Sequence, residues 1–156
     1  FITSNGRIVE FHKEPLLRAI ELGLLPVLTG DLVFDRARVF SILSGDQIVS
    51  YLSKLLKPSR VIFGTDVDGI YTGDPKKENV KLIEEISEEN IQEVFKFAKD
   101  TGDASGGMEG KLSEILPIFD MGIEIDVINL TKKGNLTETL RGNVKGTIIK
   151  KKNLSK

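Results

Sequence analysis

Short β-branched runs alternate with longer stretches of helical period along almost the whole chain, and that alternation leaves few folds open. Apolar residues recurring every three or four positions belong to helices, whereas short apolar runs bounded by Gly, Pro, Asn or Asp belong to strands. Their alternation predicts βαβ units and an α/β protein with a mostly parallel sheet. The 156 residues match a single domain of about 150 residues. Hydrophobic residues make up 40% and charged residues 29%, the balance of an ordinary globular chain. With 22 Lys and Arg against 23 Asp and Glu, the net charge of -1 gives no global attraction to nucleic acid or an anionic membrane. The absence of cysteine excludes disulfides, thiolate zinc sites and Cys nucleophiles, and the single His12 cannot build a multi-His metal site. No run approaches the ~20 apolar residues of a membrane span. Phe1-Ile2-Thr3-Ser4 carries no signal-peptide pattern. A cytoplasmic protein with no nucleic-acid or membrane partner is expected.

Asn5-Gly6 supplies the positive-φ turn of a hairpin between Phe1-Ile2-Thr3 and Ile8-Val9-Glu10. Pro15 starts a helix that buries Leu16, Leu17 and Ile20 and stops at Gly23. Leu24-Leu25-Pro26-Val27-Leu28 reads as a strand, and Leu32 to Leu43 as two short strands around Asp35-Arg36-Ala37. Ser44-Gly45-Asp46-Gln47 is a capping box opening a helix through Leu56, with Ile48, Leu52, Leu55 and Leu56 inward. Val61-Ile62-Phe63 is a buried strand and Leu82-Ile83 a short one. Ser87 caps a helix to about Lys99, with Ile91, Val94, Phe95 and Ala98 as its core face. Further helices are expected at Met108–Met121, kinked near Pro117, and at Leu136–Leu140. Strands are expected at Ile123–Ile128 and, on an edge, at Thr147-Ile148-Ile149. A basic tail, 150–156, is expected to fray.

Ligands of open parallel sheets bind beyond the carboxyl ends of the strands, where the polar segments of this chain collect. Gly106-Gly107 ahead of a helix lets backbone approach a phosphate, and Lys111, one turn further in, adds a point charge. The competing reading is a Gly-rich loop with a solvated lysine; the Walker and Rossmann fingerprints do not match. Asp46, in the first turn of its helix, either complements the helix dipole or holds lysine ammonium groups around a transferred phosphoryl. Asp66 and Asp68 suit Mg²⁺ held through water, or nucleotide hydroxyls. They equally suit an Asp-rich turn. Tyr71 could border a base. His12 reads as a helix-start residue.

Taken in order, several segments resemble the amino acid kinase superfamily, and within it the isopentenyl phosphate kinases. They are Pro26-Val27-Leu28-Thr29-Gly30-Asp31, Ser41 to Asp46, Lys57 to Phe63, Thr65-Asp66-Val67-Asp68-Gly69-Ile70-Tyr71, Asp74-Pro75, Ser105-Gly106-Gly107-Met108 with Lys111, and Gly146 to Ile149. The resemblance implies a three-layer αβα sandwich. It implies transfer of the γ-phosphoryl of ATP, with Mg²⁺, to isopentenyl phosphate in isoprenoid biosynthesis, in a homodimer. On that resemblance Asp46 orders the catalytic lysines and Lys111 acts on the transferred phosphoryl. Thr65, Asp66, Gly69 and Tyr71 hold ATP, Gly106, Gly107 and Met108 line its phosphate end, and Gly30, Asp31 and Gly45 face the acceptor.

The chain departs from the family pattern at its start. The Gly-rich, lysine-bearing strand–loop and the Gly-Gly-Gly segment followed by histidine do not occur in it. Residues 1–149 therefore read as the carboxy-terminal, ATP-binding part of such a kinase. Gln47, Ala104-Ser105 and Leu130 are smaller departures. A uridylate kinase is the nearest alternative, although the Gly-Asn-Pro and Thr-Thr-Asp acceptor segment is lacking. Two readings of another class are a receiver-like domain with Asp66 as phosphoacceptor and a regulatory nucleotide-binding module.

Overall fold

The computed structural model describes residues 1–75, 79–100 and 107–152. The chain divides into two compact units, Phe1–Leu55 and Leu56–Lys156.

Unit 1 holds one mixed sheet of order β2-β1-β3-β4. Strands β1 (Ile2–Ser4) and β2 (Arg7–Glu10) are antiparallel across Asn5 and Gly6, whose φ values of 50° and 77° suit the twist of a two-residue hairpin. Helix α1 (Glu14–Glu21) has Pro in its first turn and stops before Gly23 at φ 73°, as expected. Strands β3 (Leu32–Asp35) and β4 (Val39–Ile42) form the second hairpin. Leu24 to Leu28 forms no strand. A ladder needs a neighbour; no described strand pairs here, Pro26 has no N–H to offer, and Leu25 and Val27 remain 89% exposed.

Asp35 ties the two hairpins together. It is buried, and its carboxylate accepts from the Thr3 hydroxyl at 2.9 Å and from four backbone N–H groups, those of Asn5, Gly6, Ala37 and Arg38, at 2.7–3.1 Å. Burial pushes this carboxyl up, but the hydrogen bonds from Gly6, Ala37, Thr3 and Arg38 outweigh it and hold the group well below the usual carboxylate range. Unit 1 therefore draws stability from Asp35 above the unfolded carboxylate pKa of about 3.9 and loses it as the pH falls through the lower folded value. Asp35→Asn should lower the thermal midpoint at pH 7 and flatten its acid dependence, read by calorimetry between pH 2 and 7. An unchanged midpoint and slope would refute the role.

Helix α2 (Gly45–Leu56) opens on half of the expected capping box. The Ser44 hydroxyl accepts from the Gln47 N–H at 3.2 Å. Gln47 does not reach back: its amide nitrogen donates to Gly6 O at 2.9 Å and its amide oxygen accepts from Ile8 N–H at 3.0 Å, so it braces the first hairpin. The buried side chains of α2 are Gln47, Ile48, Ser50 and Ser53, whereas Leu52 and Leu55 are half-buried and Leu56 is exposed. The face expected to be apolar is thus displaced around the helix toward small and polar residues.

Unit 2 carries the second mixed sheet, of order β5-β7-β8-β6. Strands β5 (Arg60–Thr65) and β7 (Glu124–Asn129) are parallel over their full length, β8 (Gly146–Ile149) runs antiparallel to β7, and β6 (Glu85–Ile86) runs parallel to β8. The last strand is therefore interior, not an edge, because β6 pairs on its far side. Leu82-Ile83 gives only a bridge from Leu82 to Tyr71, and the short strand falls three residues later. Helix α3 (Ile91–Asp100) starts beyond Ser87, whose carbonyl accepts from Ile91 N–H. Helix α4 (Gly107–Asp120) contains Pro117 and ends before Gly122 at φ 76°; α5 spans Asn135–Leu140.

Register fixes the layers. Val61, Phe63, Ile125 and Val127 share one sheet face, and Arg60, Ile62 and Asp126 the other. The ammonium of Lys111 on α4 lies 5.2 Å from the centre of the Phe63 ring. The Arg60 guanidinium donates to Leu140 O of α5 at 3.5 Å. Helices α4 and α5 thus cover opposite faces of the β5–β7 ladder, a three-layer arrangement within unit 2. Its centre is apolar: Ile115, Ile118, Ile125, Val127, Ile128 and Ile149 have no exposed surface. The start of the basic tail does not fray. Lys150 N–H donates to Ile86 O, and Lys152 donates to Glu88 through its backbone and pairs with Glu89 at 2.7 Å; positions 153–156 lie outside the described residues.

Candidate functional site

The carboxyl ends of β5 and β7 point the same way, so the segments that follow them share one rim of the sheet. Thr65 ends β5, and its hydroxyl meets the Asp66 carboxylate at 3.3 Å. Asp66 is exposed at that rim. Gly69, at φ 149°, is buried and takes a conformation that disfavours a side chain; a Cβ there would sit 2.5 Å from the Thr147 hydroxyl. Tyr71 is half-buried in its bridge to Leu82. On the α4 side, Gly107 is the first helical residue and Met108 the next, so both lie in the first turn of α4. Lys111, over Phe63, brings its cation to β5, the strand that Thr65 ends. An exposed carboxylate beyond β5 and a lysine over Phe63, two residues before Thr65, are groups of the kind that position a polyphosphate. Gly106 lies outside the described residues.

Gly30, Asp31, Gly45 and Asp46 belong to unit 1, which brings all four together. Leu43 N–H donates to Asp31 O at 2.9 Å, and a Cβ on Gly30 would overlap the Leu43 carbonyl oxygen and lie 3.0 Å from Gly45 N. Only glycine lets these two segments approach so closely. Asp46 stands in the first turn of α2, where a carboxylate also complements the helix dipole.

Asp68 is occupied within the protein. Lys132 pairs with it at 2.6 Å and Asn129 donates to it at 3.0 Å, and together they hold its carboxyl below the usual carboxylate range. Asp68 therefore staples its loop to the segment at and beyond the end of β7. Lys132 and Asn129 were not among the candidates from sequence; their one signal was position, just at and beyond the end of β7. Beside them, on the α5 side, a cavity of about 790 Å³ is lined by Asp68, Glu84, Lys132, Asn135, Glu138 and Lys145, charges of both signs. Among the described residues no three His, Cys, Asp or Glu side chains cluster as a metal cage, and no helix is long and apolar enough to cross a membrane.

A doubly covered sheet of this kind defines an α/β domain, and residues 1–129 match the amino acid kinase family. The chain belongs to that family. It is 39% identical over 154 residues to an isopentenyl phosphate kinase of Methanothermobacter thermautotrophicus, covering 96% of this chain and 58% of the relative. A second relative, the isopentenyl phosphate kinase of Methanocaldococcus jannaschii, is 30% identical over 96% of this chain and 54% of its own length. A solved isopentenyl phosphate kinase structure superposes with a TM-score of 0.79 at 36% identity, covering 95% of this chain and 55% of that one. The chain thus spans somewhat over half the length of these relatives. Family membership sets aside the receiver-like reading of Asp66.

Proposed function

We propose that residues 1–149 form the ATP-binding, carboxy-terminal part of a kinase that phosphorylates isopentenyl phosphate. An oxygen of the acceptor monophosphate attacks the γ-phosphorus, the bond to the β-phosphate bridging oxygen breaks, and isopentenyl diphosphate and ADP result. What supports the reading most is the placement of the Lys111 ammonium over Phe63, on the strand that Thr65 ends and Asp66 follows. Such transfer asks little covalent chemistry of the protein; positioning and stabilisation of charge dominate. Lys111 and the first amides of α4 would hold the transferring phosphates, Gly107 allowing close approach. Gly69 and Tyr71 would carry the nucleotide past the rim. Asp46 would order the cationic groups, and Gly30, Asp31 and Gly45 would face the acceptor.

The donor set fits a Mg²⁺ that arrives with ATP, since such an ion needs only one or two carboxylates, water and phosphate oxygens. Asp66, exposed at the rim, would meet it. When bound, the ion supplies neutralisation of phosphate charge. A cytoplasmic homodimer completes the proposal.

The test is a phosphorylation assay on the full-length kinase with isopentenyl phosphate, UMP and glutamate as competing acceptors. Isopentenyl phosphate should give the largest kcat/KM, and Asp46→Asn should slow turnover at least tenfold without changing the thermal midpoint. Preference for UMP or glutamate would overturn the acceptor. A D46N enzyme of normal rate but lowered midpoint would return Asp46 to helix capping.

A further inference from the structure

We infer that Asn129 and Thr147 are positioning residues for nucleotide, clamping the Asp66–Tyr71 loop from the tips of β7 and β8. The inference rests on reading that loop as an ATP-binding segment. Asn129 is 5% exposed at the end of β7. Its amide nitrogen is committed entirely to the loop, donating to Asp66 O at 3.2 Å and to the Asp68 carboxylate at 3.0 Å. Its amide oxygen accepts from Thr131 N–H at 2.9 Å and contacts the Thr131 hydroxyl at 2.7 Å, which fixes the orientation of the amide. The Asn129 main-chain carbonyl accepts in turn from the Asn135 amide on α5 at 2.9 Å. The residue thus stands braced from behind while both its donors face the loop.

Thr147 holds the other end. It has no exposed surface, and its hydroxyl donates to Ile83 O at 2.7 Å and accepts from Ile70 N–H at 2.8 Å. Since a carbonyl oxygen only accepts and a backbone N–H only donates, both directions are determined. Gly69 lies directly against this hydroxyl. The sheet does not need either bond: β5 pairs with β7 through backbone to Thr65↔Asn129, and β7 with β8 through Val127↔Thr147. The Asn129 amide acts on the loop, and the Thr147 hydroxyl ties the loop at Ile70 to Ile83, neither serving the ladder. A loop ordered before ligand arrives does not have to lose its freedom on binding, so losing either anchor should weaken nucleotide affinity.

The experiment uses the full-length kinase with Asn129→Ala, Asn129→Asp and Thr147→Val, the last keeping nearly the same shape without the hydroxyl. Calorimetric binding of ATP and steady-state kinetics are measured for each, beside the parent. Each variant should raise the Kd and KM for ATP about tenfold. The KM for isopentenyl phosphate and kcat should stay within about twofold. Asn129→Asp, which sets an oxygen against Asp68, should be at least as impaired as Asn129→Ala. A parent that binds ATP while Thr147→Val and any folded Asn129 variant match it would overturn the clamp. So would equal losses for both substrates, which would mark a purely structural role. A parent that binds no ATP would instead overturn the reading of the loop, and the clamp with it.

Discussion

Replacing Lys111 by alanine in the full-length kinase should lower kcat by about a hundred- to a thousandfold while leaving the KM for ATP within a few fold, the effect of deleting a preorganised charge that acts on the transition state. The basis is placement. Lys111 stands four residues into α4, so its cation adds to the positive end of the helix, and its packing 5.2 Å from the Phe63 ring limits where the ammonium can go. A ground-state phosphate anchor would show the opposite pattern, raised KM at normal kcat. Lys111→Arg tests geometry separately: it keeps the charge but changes its shape and reach, and should recover only part of the rate. Unchanged kcat in Lys111→Ala would remove the residue from the reaction.

The second large effect concerns stability. Asp126 sits in the interior strand β7 with no exposed surface, and among the described residues neither carboxylate oxygen has a hydrogen-bond partner. Arg60, 3.6 Å away on β5, is its counter-charge. Burial pushes the Asp126 carboxyl above its ordinary value, and Arg60 draws it only partly back. Arg60→Ala would strand a buried charge and should cost about 3–5 kcal/mol in urea unfolding at pH 7. Removing both charges should do the reverse. Arg60→Leu combined with Asp126→Val, which replaces both partners by apolar side chains, should be neutral or stabilising by about 1–4 kcal/mol. The gain has a defined pH dependence. With its folded pKa above its unfolded one, Asp126 destabilises increasingly as the pH rises through the folded value, so the advantage of the double variant should shrink in acid and grow toward neutrality. Equal stability of Arg60→Ala and the parent at pH 7 would show that the pair carries nothing.

The features legible in the sequence were those decided by chemistry within a few residues. Asn5-Gly6 makes its turn because two successive positive φ angles suit these residues. Ser44 caps α2 through a bond three residues long, and Gly23 and Gly122 end their helices in the left-handed region. The stretch from Thr65 to Tyr71 was recognisable for a related reason: it is one contiguous run of residues.

What the sequence hid depended on partners far along the chain. Leu24 to Leu28 has the composition of a strand, yet a ladder exists only where another strand offers its N–H and C=O groups. Gln47 was read as half of a capping box; the first hairpin, some forty residues earlier, offered it a carbonyl and an N–H and won. Asp68, which suits a metal or nucleotide ligand and an Asp-rich turn alike, takes its partners Lys132 and Asn129 from more than sixty residues on.

The alternation of short and long apolar periods, by itself, determined the α/β class, and one contiguous stretch of seven residues carried most of the family likeness. Which strand lies inside the sheet, which acid remains open to a ligand and which amide holds the loop were decided only when distant segments met, because a hydrogen bond is satisfied by whichever partner folding brings within three ångströms.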